Sequence, residues 1–421
     1  MKRGETMQIS LTAKLKLLNL TAEQKQLFDK LMNQYSKACD YTSDWIFNHD
    51  FNLSKYDVQK EIYYDLRQKF KLKSQLAINV IRTVISQYKT VKTQLESKPY
   101  YYKIRDADKD KNIQAKYLKV ERDLYWLQNP IKFKRPQAEL QRDRDWSFLN
   151  DGETLSINTL AKRQRVAYTN KGFEKYFNNQ IWNFGSLKLI KKRNKYYAYL
   201  SVTKEILDFD KEQAKHVVGL DRGLRFLYTA YDEKGKVRFY SGKHVNHIRR
   251  KYTNLRAKLQ RKGTKSAKRA LKRISGRENR FMTDVNHQLS KALVNKYDKD
   301  TLFVIEDLTG IRKATEKRKD KKDKYDSVSW AFYQLEQDLT YKAHLNGSEV
   351  VKVAAQYTSQ RCPKCGRIRK ENRDHNLHLY ICDKCGYKAN DDMIASMNIQ
   401  RLGTEYRAGV IRPAFTKVKE S

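Results

Sequence analysis

Proline is scarce in this chain, with 5 in 421 residues, and glycine numbers only 16. A collagen-like or linker-dominated architecture is thereby excluded. No run of ~18 apolar residues occurs, so no membrane-spanning helix is expected. The amino terminus MKRGETMQISLTAKLKLLNL is basic. It lacks an uninterrupted apolar core before a small-residue cleavage site, and reads as no signal peptide. Acidic residues are also short: 48 Asp and Glu face 88 Lys and Arg, a formal net charge of +40. A globular chain with that excess repels itself unless a polyanion offsets it. The basic residues are spread along the whole chain, which fits a long nucleic-acid path better than a membrane surface. Aromatics at 12%, with 28 Tyr, argue against a disordered basic tail. The length suggests two to three domains at ~150 residues each.

Cysteine is scarce as well, but four of the five are packed together: Cys362, Cys365, Cys382 and Cys385. Two Cys-x2-Cys pairs, each followed by Gly (Gly366, Gly386), supply the four soft ligands of a tetrahedral Zn²⁺ site. Glycine there permits the positive φ of a tight knuckle. A pair of disulfides would need an oxidising compartment. His375 and His378 between the knuckles read as surface residues beside four thiolates. Cys39 stands alone in a helical pattern and reads as a buried free thiol.

Residues 7–17 read as a strand, and Thr21 to Gln24 resembles a capping box. Leu27, Leu31 and Tyr35 follow at helical spacing, and a second helix is expected over 55–70. Leu76, Val80, Val84, Tyr88 and Val91 form one apolar stripe over 74–95. Helices are therefore expected through 21–125. Tyr100, Tyr101 and Tyr102, beside Lys103 and Arg105, could stack on bases or pack on a neighbouring helix. Strand patterns then recur over 126–212. From 216 the order is strand HVVGLD, a meander, a very basic stretch over 249–273, a helix over 279–297, strand TLFVIED, a polar segment over 311–326, a helix near 328–345, strand EVVKVA, the knuckles and a last helix from 391. Lys and Arg density over 249–273, including Arg249, Arg250 and Arg261, favours phosphate contact. Arg361, beside the first knuckle, is a further nucleic-acid candidate.

Three acidic residues stand out by context. Asp221 ends one apolar strand, Glu306 ends another, and Asp392 opens the last helix. Taken singly, each reads as capping an element or pairing with Lys or Arg. Taken together, carboxylates at such positions can converge at one sheet edge, where hard cations such as Mg²⁺ find oxygen ligands. Two such ions can activate water and stabilise a leaving oxygen at a scissile phosphate. Asp307 and Asp391 compete with their neighbours, and only one of Glu306 and Asp307 can face the site because adjacent strand residues point oppositely.

The segments VGLDRG, FVIEDLTGI, QYTSQRCPKCG and CGYKANDDMIASMNI resemble the nuclease core of the TnpB family, transposon-encoded relatives of miniature type V CRISPR effectors. The resemblance is dense over 216–402, and over 1–212 only the layout matches. It implies an α/β RuvC-like (RNase H-like) nuclease core with an inserted zinc ribbon. It also implies an N-terminal β-barrel-like wedge domain with an inserted helical recognition domain. The implied domains are a wedge (1–20 and 126–212), a helical recognition domain (21–125), a nuclease domain (213–355 and 391–402), a zinc ribbon (356–390) and a basic tail (403–421). By the same resemblance Asp221, Glu306 and Asp392 correspond to a catalytic triad using Mg²⁺. The helix carrying Asn286, His287 and Leu289 matches the one between the first two triad positions. The chain departs from the family at Ile394, where Asn is frequent, and at Arg222, where an apolar residue is frequent.

The implied activity is RNA-guided cleavage of double-stranded DNA next to a short motif, with guide RNA from the flank of its own locus. The implied location is prokaryotic cytoplasm, at the nucleoid. Lys73, Ser74, Gln75 and Asn79, opening the clearest helix, are candidate motif readers, since Gln and Asn suit adenine edges and Lys suits guanine or phosphate. A nuclease-silent RNA-guided repressor and a compact type V CRISPR effector remain alternatives.

Overall fold

The computed structural model describes residues 6–105, 116–149, 152–177, 181–308, 332–374 and 376–416. The chain divides into two compact units, Gln8–Glu205 and Ile206–Ser421, the latter taking in Met1–Met7. The polar segment over 311–326 and His375 lie outside the described residues.

The first unit combines a long strand β1 (Thr6–Leu17), three helices, α1 (Ala22–Asn48), α2 (Lys55–Lys69) and α3 (Ser74–Glu96), and a set of strands. The capping box forms at α1, with Gln24 N donating to Thr21 Oγ1 and Thr21 N to Gln24 Oε1, each at 3.1 Å. Along α3, Leu76, Val80, Val84 and Tyr88 are wholly buried. Each aliphatic side chain so buried contributes about 1.5–3 kcal/mol, enough to hold a helix that lacks a side-chain cap at Lys73. Cys39 is buried in the same core.

The helices end earlier than the expected 125. After Glu96 the chain forms a hairpin of β2 (Tyr100–Arg105) and β3 (Lys116–Val120). Six strands follow: β4 (Gln137–Leu140), β5 (Trp146–Phe148), β6 (Thr154–Ile157), β7 (Gln164–Thr169), β8 (Asn183–Lys192) and β9 (Lys195–Leu207). They join β1 in a seven-stranded sheet of order β4-β8-β9-β1-β7-β6-β5. Its edge strands β4 and β5 are consecutive in the chain, and an Arg142–Trp146 bridge brings them together. The sheet thus nearly closes into a barrel, which removes most of its exposed edge.

The second unit is an α/β sheet. Strands β10 (His216–Asp221), β11 (Phe226–Tyr231) and β12 (Val237–Ser241) form a meander. Helices α4 (Lys243–Lys262), α5 (Lys265–Ile274) and α6 (Arg277–Tyr297) lead to β13 (Thr301–Glu306), and α7 (Phe332–Leu345) precedes β14 (Glu349–Val353). The order is β12-β11-β10-β13-β14, with β10, β13 and β14 parallel. Strands covered on both faces need continuous apolar runs, and VVGL and LFVI supply them. Val218, Leu220, Phe303 and Ile305 face a core with α6 and α7, while Val217, Leu302 and Val304 face Ile399 and Leu402. The short strands β15 (Arg373–Asp374), β16 (Leu379–Ile381) and β17 (Lys388–Asn390) form a small sheet before the last helix, α8 (Asp391–Arg407). That helix continues past 402, so the segment expected as a tail from 403 begins inside it.

Two glycines let α8 lie directly on the sheet. A Cβ on Gly219 would meet Ser396 O at 2.2 Å and Gln400 N at 2.3 Å. A Cβ on Gly403 would meet Val304 Cγ2 at 2.2 Å. A larger residue at Gly219 would push the helix off β10, and one at Gly403 would press on the side chains of Val304 and Val217.

Candidate carboxylate site and four-cysteine cluster

Parallel pairing sets Leu220 opposite Ile305. Asp221 and Glu306, one residue further on, therefore leave the sheet at the same edge. The third carboxylate arrives on α8. Asn390 caps that helix, its Oδ1 accepting from the amides of Asp392 and Met393 at 3.1 and 3.2 Å. Asp392 thus sits in the first helical turn, where the helix dipole favours an anion.

Of the three carboxyls, Asp221 is the one on which the other two act. Burial pushes the Asp221 carboxyl well above the usual carboxylate range, and the neighbouring charges of Glu306 and Asp392 push it further. Burial also raises Glu306, offset in part by a hydrogen bond from the buried Thr358 hydroxyl and by Arg222 and Arg373. Asp392 is raised by burial and then by Asp391, against the opposing charges of Arg373, His378 and Arg225. A divalent cation beside Asp221 would relieve the repulsion it meets from Glu306 and Asp392, and carboxylate oxygens are donors of the kind Mg²⁺ takes.

The adjacent acids take other places. Asp307 is exposed. Asp391 is fully buried and engaged: Arg373 Nε lies 2.9 Å from its Oδ2, and His378 Nδ1 lies 3.5 Å from its Oδ1. Among the described residues, the acid-and-histidine group whose ligand atoms lie within 4.8 Å of one another is His378, Asp391 and Asp392, and not the trio Asp221, Glu306 and Asp392.

Arg373 and Thr358 were not singled out from sequence. Arg373, on β15, reaches Asp392 Oδ1 at 3.8 Å and draws down the raised pKa of all three carboxyls. The only available signal was position, Thr358 in QYTSQRC and Arg373 between the knuckles. Arg222 is 2% exposed at its side chain, with Nη1 3.0 Å from Glu336 Oε2.

The four cysteines converge with all sulfurs within 4.8 Å of one another. Cys362 and Cys385 Sγ are 3.6 Å apart, and Cys365 and Cys382 Sγ are 3.5 Å apart. A tetrahedron with Zn–S near 2.3 Å has edges of about 3.8 Å, so the cluster fits zinc. Gly366 and Gly386 hold φ of 79° and 65° and return their amides to Cys362 O and Cys382 O. Burial pushes the Cys362 thiol up to about 12, so a bound cation is what would hold it as a thiolate. Ile394 is wholly buried against Cys362, Cys382 and Tyr380. Its apolar side chain packs α8 onto the cysteine unit.

The expected nucleic-acid contacts divide. Gln75 and Asn79 are 9% and 4% exposed. Gln75 Nε2 donates to Asn79 Oδ1 at 2.9 Å, and Asn79 Nδ2 donates to Asp145 Oδ2 at 2.9 Å. Lys73 Nζ donates to Asn158 Oδ1 at 2.7 Å and to Ala161 O at 2.6 Å. These three side chains tie α3 to the barrel, in an environment unlike that of a base reader, while Ser74 is exposed. Arg249 is buried 3.7 Å from Glu278, whereas Arg250 and Arg261 are exposed on α4. Arg361 is half-buried, its guanidinium 4.6 Å from the Phe415 ring centre.

The second unit thus sets a carboxylate-edged α/β sheet beside a four-cysteine cluster. Residues 200–315 match the profile of a family described as a probable transposase, OrfB_IS605, and residues 332–399 match the Cas12f1-like TNB domain. The chain is also similar to TnpB-like proteins. A TnpB-like protein of Methanocaldococcus jannaschii is 27% identical over 261 residues, 60% of this chain and 91% of that one. The CRISPR-associated endodeoxyribonuclease Cas12f1 of Sulfoacidibacillus thermotolerans is 28% identical over 226 residues, 49% of this chain and 50% of that one. The chain spans about half the length of the Cas12f1 relatives it matches. Among solved structures, the mini-RNA-guided endonuclease CRISPR-Cas_phi3 superposes with a TM-score of 0.52 at 11% identity, covering 94% of this chain and 92% of that one. At that identity the match speaks for the fold alone. Among the described residues no helix is long and apolar enough to cross a membrane.

Proposed function

We propose that this chain is an RNA-guided, divalent-metal-dependent DNA endonuclease of transposon type, with an RNase H-like core of the RuvC kind. The observation that carries the reading is the gathering of Asp221, Glu306 and Asp392 from two parallel strand ends and a helix start. Strand order and the crossing of α8 over β10 support the RNase H-like assignment. The two units fit the roles of a wedge with a helical recognition insert and of a nuclease with a zinc ribbon.

Asp221, Glu306 and Asp392 are the residues that would hold Mg²⁺, and Cys362, Cys365, Cys382 and Cys385 those that would hold Zn²⁺. Bound Mg²⁺ supplies an activated water and a charge clamp on the phosphate in such sites. The chain's own residues do the rest. Thr358 orients the Glu306 carboxylate and Arg222 holds its backbone. Arg373 sets a fixed positive charge beside Asp392. Arg250, Arg261 and the lysines of α4 and α5 offer a cationic face for phosphates, reading shape while guide pairing reads sequence.

The test is Mg²⁺-dependent cleavage of guide-matched DNA by the protein purified with its own RNA. Asp221→Ala and Asp392→Ala should abolish cutting while RNA and target binding persist. Persistent cutting by either variant would sink the assignment. Target binding without cutting by the wild-type protein would favour the repressor reading, against which the intact carboxylate cluster stands. A CRISPR repeat in the co-purified RNA would move the protein to the compact effectors.

A further inference from the structure

Away from the carboxylates, β2 and β3 make a two-stranded ribbon. Every residue of β2 is exposed, and in β3 only Val120 is half-covered. Tyr100, Tyr101, Tyr102, Ile104, Tyr117 and Leu118 are each between 49% and 59% exposed. An isolated ribbon of two strands is at best marginal in water, and large apolar groups gathered on one exposed element mark a binding surface.

The register sorts these side chains. Tyr101 lies opposite Lys119, and Lys103 opposite Tyr117. Opposed residues of an antiparallel pair project from the same face. That face is therefore a chequer of two rings and two ammonium groups. The opposite face carries Tyr100, whose ring lies 5.8 Å from that of Trp126, with the Arg122 guanidinium 5.2 Å from Trp126.

Rings interleaved with cations match one chemistry, bases joined by phosphates. Each base offers a flat face to stack, and each linkage a charge to neutralise. We propose that the ribbon is a stacking platform for unpaired nucleotides of the resident RNA. Tyr101 and Tyr117 take bases and Lys103 and Lys119 take phosphates. The choice of RNA rests on the guided reading above. An open apolar ribbon needs a cover throughout the protein's life, and the guide is the polyanion held throughout, whereas target DNA is present only during an encounter.

The full chain, washed free of nucleic acid in high salt, is titrated with oligo(U) and oligo(dT) of about twenty nucleotides across a salt series. Tyr101→Ala/Tyr117→Ala should weaken oligo(U) binding at least about tenfold, given ~1–3 kcal/mol per stacked base, with the salt slope unchanged. Tyr101→Phe/Tyr117→Phe should bind like wild type. Lys103→Gln/Lys119→Gln should lower the salt slope by about 1.4, at ~0.7 per phosphate on a single strand. All four side chains are exposed, and equal melting temperatures would show that the variants fold.

Unchanged oligo(U) binding by the alanine pair would overturn the platform. A loss confined to oligo(dT) would overturn the RNA assignment. A wild-type dimer that the alanine pair converts to monomer in light scattering would give the ribbon to a second copy of the chain. Cleavage of guide-matched DNA is read in parallel. Wild-type protein that binds oligo(U) through the tyrosines but never cuts removes the nuclease reading and leaves the platform standing.

Discussion

Arg222 Nη2 donates to the backbone carbonyl of Glu306 at 2.6 Å, across 84 residues of chain. The residue next to one site carboxylate thereby holds the backbone of another, just beyond the last ladder pair of β10 and β13. Glu336, the second partner of Arg222, is also 2.5 Å from Lys352 Nζ. Removing one member of a buried pair leaves a charge without its partner, at a cost of about 3–5 kcal/mol. Arg222→Met should therefore destabilise strongly in denaturant titration. Arg222→Met/Glu336→Met should recover much of that loss, yet cleavage should stay depressed because the Glu306 carbonyl remains unheld. Full activity in the double variant would show that Arg222 serves packing alone.

Gly219→Ala should be worse than Gly403→Ala. At Gly219 the new Cβ meets backbone of α8, whereas at Gly403 it meets the side chains of Val304 and Val217. Side chains can give way and helix backbone cannot. Overpacking costs about 1–3 kcal/mol and occasionally more. Gly219→Ala should reach or exceed the top of that range, and it should also lower cleavage by displacing Asp392. Chemical denaturation and cleavage rates on both variants check the order.

Removal of zinc should act on the carboxylate edge as well as on the knuckles. Arg373 and His378 both meet Asp391, and Ile394 packs on the cysteines. Chelation or Cys382→Ser should lower the melting temperature and raise hydrogen exchange over the start of α8. A melt indifferent to chelation would count against a structural metal, since such sites derive folding energy from it.

Asn79→Ala should destabilise the first unit by about 1–3 kcal/mol, because the buried Asp145 loses a donor. Its effect on target-motif preference should be small. A changed motif preference with unchanged stability would restore the base-reading role of this helix.

His344 gives a pH dependence of definite sign. Burial lowers its pKa, with Asp208 pulling weakly the other way. A depressed folded value favours the neutral ring, so its contribution is present above the unfolded pKa of ~6.5 and is lost as pH falls below it. His344→Gln should flatten stability between pH 7 and pH 5. An unaltered profile would assign that dependence to other groups.

Features set by neighbours in the chain were legible from residues alone. Two Cys-x2-Cys-Gly knuckles form wherever their own backbone turns close, and their spacing already named a four-sulfur site. The Thr21 capping box and the α3 stripe are equally local, and the runs VVGL and LFVI announced strands covered on both faces. A charge of +40 pointed to a polyanion without any coordinates. What residue spacing left open was decided by register and packing between distant segments. Parallel pairing and the crossing of α8 at Gly219 gather Glu306 and Asp392 around Asp221. They leave Asp307 exposed and turn Asp391 to Arg373. Gln75 and Asn79 looked free on a helix pattern, but the barrel supplies Asp145 and Arg144 to engage them. Tyr100 to Tyr102 carried either reading until the hairpin left them open. A side chain's chemistry is written in its own residue, while its partners come from strands and helices far along the chain, and only folding brings those together.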